Sequence, residues 1–71
     1  MIKITIRDDH IKLCQLLKLS DIAQSGAEAK EMIMDGEVKV NDETEYRKGR
    51  KCFPGDIICC GDQTICVENN Q

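Results

Sequence analysis

At Gly36 the spacing of the apolar side chains changes. Before it, Ala29, Met32 and Ile33 recur at helical intervals, with Lys30 off their stripe. After it, Val38 and Val40 alternate with Glu37 and Lys39, the period of a half-buried strand. The helical segment carries its own start signal. Ser25-Gly26-Ala27-Glu28 is an S-x-x-E capping box: the serine accepts from an early helix amide and the glutamate reaches back to the Ser25 amide. Gly36 supplies the stop. The spacing therefore predicts a bracketed helix over 25–36 and a strand immediately behind it.

The remaining segments fit one small α+β unit. Ile2, Ile4 and Ile6 alternate with Lys3, Thr5 and Arg7, which reads as a strand. Asp8-Asp9 can cap a helix whose body is 11–18, with Leu13, Leu16 and Leu17 on its buried stripe. A connector over 19–24 follows, anchored by Ile22. Asn41-Asp42 is a turn, and so is Phe53-Pro54-Gly55-Asp56. Residues 57–60 and 63–67 read as a hairpin about Gly61-Asp62, which opposes Cys60 to Gln63, Cys59 to Thr64 and Ile57 to Cys66. Glu68 to Gln71 reads as a polar tail. A chain of 71 residues has room for one domain, spanning 1–71, whose core is helix packed against a few strands.

Several function classes fall away. No apolar run approaches the length of a membrane span. The N-terminus alternates where a secretory leader would be continuously apolar, so a cytoplasmic location is expected. The five cysteines include no C-x-x-C pair, and Cys59 and Cys60 are adjacent, so they point to opposite faces of a strand. We expect reduced, packed thiols, no metal and no cofactor. The single histidine, His10, reads as part of a solvated cap. Neither it nor Ser25, which its capping role explains, assembles a catalytic constellation. No glycine-rich phosphate loop occurs. The end Asn69-Asn70-Gln71 lacks the Gly-Gly of a sulfur-carrier protein. No enzyme, no small-molecule substrate and a monomer are expected.

The charge is unevenly placed. The whole chain carries −3, yet residues 46–51 hold Arg47, Lys48, Arg50 and Lys51 without an acid, leaving −7 on the remainder. A loop cannot bury four charges, so these are expected to face solvent. Alanine at Arg47 and Arg50 should then leave folding almost unchanged. A cationic loop near the positive end of the second helix makes a site for phosphates. With Tyr46 and Phe53 as the only Tyr, Phe or Trp, base-stacking platforms find little support, and backbone recognition of a structured RNA is the mode expected.

Leu13-x-x-Leu16-Leu17-Lys18, then Ser25-Gly26-x-x-Ala29-Lys30-x-x-Ile33-x-x-Gly36-x-Val38-x-Val40-Asn41, then Arg47, Arg50-Lys51 and Gly55-Asp56, resemble the RNA-binding domain first known from ribosomal small-subunit protein S-four. The likeness spans roughly 11–60, and the length and leading strand look most like the stand-alone bacterial YbcJ-like (YaaA-like) proteins. It implies two short helices packed on a small antiparallel sheet, the alpha-L motif. It places RNA along the second helix and the loop after the motif's first strand, at Ser25, Lys30, Arg47, Lys48, Arg50 and Lys51. The family's common Ser-Arg pair is Ser25-Gly26 here, and Glu28 and Glu31 share that helix, so the loop is expected to carry more of the binding. The resemblance implies a non-enzymatic protein that binds structured RNA, ribosomal RNA in particular. The competing expectation is a protein-interaction adaptor of the same fold with little RNA affinity, which the net negative charge favours.

Overall fold

The structure, a computed structural model, describes residues 1–69. Its strands are β1 (Ile2–Ile6), β2 (Ile11–Lys12), β3 (Val38–Val40), β4 (Glu43–Thr44), β5 (Lys51–Cys52), β6 (Ile57–Cys60) and β7 (Gln63–Asn69). Two helices, α1 (Leu13–Leu19) and α2 (Gly26–Met34), lie between β2 and β3. A five-stranded sheet runs in the order β1-β7-β6-β3-β4, and β2 pairs with β5 in a separate two-stranded ribbon. The two helices and their sheets make an α+β fold. From β4 to β7 the neighbours are antiparallel, as expected. The N-terminal strand makes the sheet mixed: β1 adds to β7 in parallel, with Ile2 opposite Ile65 and Ile4 opposite Val67.

Periodicity accounts for the core. Leu13, Leu16 and Leu17 of α1 and Ala29 and Ile33 of α2 are fully buried. They meet Val38, Val40, Ile58, Ile65 and Val67 from the sheet. In the connector, Ala23 is the fully buried residue, its amide donating to Leu17 O at 3.0 Å; Ile22 is half-buried against the same cluster. The β6–β7 hairpin has the anticipated register, Cys60 opposite Gln63, Cys59 opposite Thr64 and Ile57 opposite Cys66. Gly61, at φ +60, occupies the first turn position, where a side chain would be strained. Of the segment read as a tail, Glu68 and Asn69 finish β7, and residues 70–71 lie outside those described.

Both ends of α2 are closed by local chemistry. Ser25 Oγ accepts from Glu28 N at 3.1 Å. Glu28 Oε1 accepts from Gln24 N at 2.9 Å, one residue before the amide expected of a capping box. At the other end Gly36, at φ +78, lets its amide reach Ile33 O and lets Glu37 N reach Met32 O, a Schellman closure.

The start of α1 departs from the sequence reading. Asp8 and Asp9 are exposed and do not cap it, and Ile11–Lys12 is strand rather than helix. Lys12 is the N-cap residue and makes no side-chain cap. The open amides of Leu13 and Cys14 donate instead to the carbonyls of Arg50 (2.8 Å) and Lys48 (3.2 Å). The basic loop is therefore the cap of α1. His10 is not part of a solvated cap either: it is half-buried, with its ring 5.7 Å from that of Phe53.

Candidate functional site

The cap bonds to α1 bring the loop over 45–50 against both helices. Lys12, Cys14, Gly26, Ala27, Lys30, Lys48 and Gly49 surround a surface hollow of about 470 Å³. Arg47, Gly49, Arg50 and Lys51 line a second, of about 530 Å³, and Gly49 is common to both. Four lysines thus reach one continuous surface from the β2–β5 ribbon, the body of α2 and the loop. Lys12 and Lys51 sit directly opposite each other in the ribbon. Like charges so placed repel, a cost that a bound anion removes.

Lys48 and Lys30 meet across the first hollow. The Lys30 ammonium, as a hydrogen-bond donor to a neutral Lys48 amine and then as a like charge, holds Lys48 below the ordinary lysine value. Among the described residues none of Lys12, Lys30, Lys48 and Lys51 forms an ion pair. The first turn of α2 joins them, since Gly26 and Ala27 also line this hollow. Ser25 is exposed beside it, its oxygen already serving as the cap.

The two arginines are arranged differently, and here the expectation of four free charges is corrected. Glu45 is buried, its side chain only 8% exposed. Arg47 Nε donates to Glu45 Oε2 at 3.0 Å, and Arg47 Nη2 to Glu45 Oε1 at 3.2 Å. Arg50 Nη1 donates to Glu45 Oε1 at 2.8 Å, and the Arg47 amide to Glu45 Oε2 at 3.0 Å. These bonds, Arg47's foremost, outweigh the cost of burial and hold the Glu45 carboxyl at about 2, against an ordinary 4.5. Arg47 is held above its usual value by the same partner and stays 76% exposed. Arg50 is only 30% exposed. Arg50 thus braces the loop from inside, and alanine there would disturb the fold.

Every predicted site residue lies on or beside this surface, with Lys48, Lys51, Lys30 and Arg47 outward and Arg50 partly buried. Lys12 was missed. It reads as one polar position in a helix, and only its opposition to Lys51, 39 residues away, marks it as part of the patch. The cysteines are scattered. Cys52 and Cys60 are buried, and desolvation pushes Cys52 up to about 11 and raises Cys60. Cys14, Cys59 and Cys66 are partly exposed. Among the described residues no three His, Cys, Asp or Glu side chains gather as metal ligands.

Comparison with known proteins shows the family of the chain. A family model described as "S4 domain" matches residues 4–68. The "Probable ribosome maturation protein RlbA" of Bacillus subtilis (strain 168) is 47% identical over 55 residues, covering 78% of each chain. YbcJ of Escherichia coli (strain K12) is 40% identical over 58 residues, 82% of this chain and 83% of YbcJ. A solution structure of Escherichia coli YbcJ, reported to reveal an αL motif involved in RNA binding, superposes with a TM-score of 0.74. It is 35% identical and covers 96% of this chain and 87% of that one. With nearly its whole length matched by the family model, and with relatives this similar over more than three quarters of the sequence, the chain belongs to the S4 domain family.

Proposed function

We propose that the protein is a small, non-enzymatic RNA-binding module that docks on structured RNA, ribosomal RNA in particular. The observation that carries the reading is the convergence of Lys12, Lys30, Lys48 and Lys51 on adjoining hollows without an acidic partner among the described residues. Phosphates of one folded strand supply the missing negative charge. Lysines hold them as mobile point charges, the Gly26–Ala27 end of α2 adds its dipole, and Arg47 offers its exposed edge. Point charges and a helix end meet backbone phosphate first, so the surface fixes position on the backbone and favours shape over sequence.

The rest of the molecule sharpens that placement. Six of the ten basic residues lie at the site with one acid, Glu45, leaving four basic against 12 acidic residues elsewhere. The acidic remainder turns phosphate away and orients the protein on its target. The ribosome maturation named for the Bacillus subtilis relative and the RNA binding reported for YbcJ support the choice of partner. On this reading the protein acts as a cytoplasmic monomer without metal or cofactor. The test is crosslinking in cells followed by sequencing of the bound RNA, with wild type beside a Lys12→Ala, Lys30→Ala, Lys48→Ala, Lys51→Ala variant. Wild type should enrich ribosomal RNA and the variant should lose it. Recovery of protein alone by wild type would instead establish the adaptor reading, which the acidic remainder favours.

A further inference from the structure

The β2–β5 ribbon presents more than lysines. Its register places Ile11 opposite Cys52 and Lys12 opposite Lys51. Side chains alternate faces along a strand, so one face carries Ile11 and Cys52. Cys52 is fully buried and Ile11 packs on the core, so this face is the inner one. The outer face carries the lysine pair and, one step beyond it, His10 and Phe53. Those two rings lie 5.7 Å apart with their planes tilted by 47°, so neither covers the other. Phe53 is 46% exposed and takes no part in the core. Two residues along a strand advance about 7 Å, so the aromatic pair directly adjoins the cationic pair.

The electrostatics of the two ends differ. The lysine end is cationic. The aromatic end is flanked by Asp8 and Asp9, and by Asp56, whose carboxylate accepts from Phe53 N at 2.8 Å. A phosphate is repelled there. The uncharged face of a base is not, and it would cover apolar ring surface now open to water.

We propose that His10 and Phe53 form a stacking platform for a single unpaired base, one step from the phosphates held by Lys12 and Lys51. The proposal rests on the RNA reading above and names its target more closely: a paired stem that carries an unpaired nucleotide at its margin. Tyr46 is a poor candidate for the same task. It is 63% exposed, but its ring lies over Gly36 at the far end of α2, where a Cβ would come 3.3 Å from Tyr46 Cε1.

The chain has one Phe, one His and one Tyr, so each ring gives its own signals in a proton NMR spectrum. The full chain is titrated with an RNA hairpin bearing unpaired 3′ adenosines, and separately with the same hairpin blunt-ended. With the first probe the Phe53 and His10 ring protons should move upfield while those of Tyr46 stay in place; with the blunt probe none should move. Phe53→Leu keeps the bulk and removes the aromatic face. It should bind the overhang probe at least ~5-fold more weakly than wild type and the blunt probe equally. Binding of the overhang probe by Phe53→Leu as tight as by wild type, or identical ring shifts with both probes in wild type, would overturn the platform and leave the lysine site intact. If wild type binds neither probe, the RNA reading falls and the platform falls with it.

Discussion

Glu45 shows how hydrogen bonds can outweigh the cost of burying a charged side chain. Four hydrogen bonds from Arg47 and Arg50 satisfy its carboxylate. Removing one partner leaves that charge undercompensated. Arg50→Ala should lower stability by about 1–3 kcal/mol in urea unfolding, while Arg47→Ala, whose side chain is mostly in water, should cost less. The pH dependence follows from the carboxyl lying at about 2 in the fold and at 4.5 ordinarily. The folded state binds that proton less readily, so the contribution is whole above about pH 4.5 and is lost as pH falls toward 2. It amounts to about 1–3 kcal/mol once solvent screening around Arg47 is allowed for. Stability measured between pH 2 and 6 should therefore fall more steeply in wild type than in Glu45→Gln. None of this was legible in the sequence, where Glu45 is one of 13 acidic residues and nothing local marks it as buried. Burial here comes from the fold, through the Glu45 amide bonded to Val38 O at 2.9 Å.

Among the elements, those closed by their own side chains were readable and those closed by distant backbone were not. The capping serine, the glycine stop and the Gly61-Asp62 hairpin register all follow from residues within a few positions of each other. Helix α1 follows from residues far apart. Its first amides are capped by carbonyls of the loop, and carbonyls are present at every residue, so no sequence pattern announces them. The same long-range pairing turned Ile11–Lys12 from helix to strand. Two substitutions test the readable part. Ser25→Ala should cost about 0.5–2 kcal/mol of stability, with RNA affinity falling less than tenfold, because its oxygen serves the Glu28 amide. A larger loss in a folded variant would mean that the hydroxyl also touches RNA. Gly36→Ala should cost about 1–2 kcal/mol, since it forces a side chain into φ +78 and sets its Cβ 3.3 Å from Tyr46 Cε1.

At the scale of the whole molecule the charge is divided between a cationic surface and an acidic remainder, and salt measures that division directly. Four lysines without an ion-pair partner among the described residues, each meeting one phosphate, displace counterions in proportion. The logarithm of affinity should then fall against the logarithm of salt concentration with a slope of about −2.8 to −3.6. Lys12 gives the most discriminating test, because only the folded ribbon places it at the site, opposite Lys51. Lys12→Ala should flatten the slope by about 0.7–0.9 and weaken binding to every structured RNA by a similar factor. It should leave unfolding free energy unchanged or slightly improved, since it relieves repulsion by Lys51. Arg50→Ala should act in the opposite sense, loosening the loop and lowering stability. Its slope should stay close to that of wild type, because Arg50 is turned toward Glu45. A Lys12→Ala variant with an unaltered slope would remove the ribbon from the binding surface and confine the site to the loop and α2.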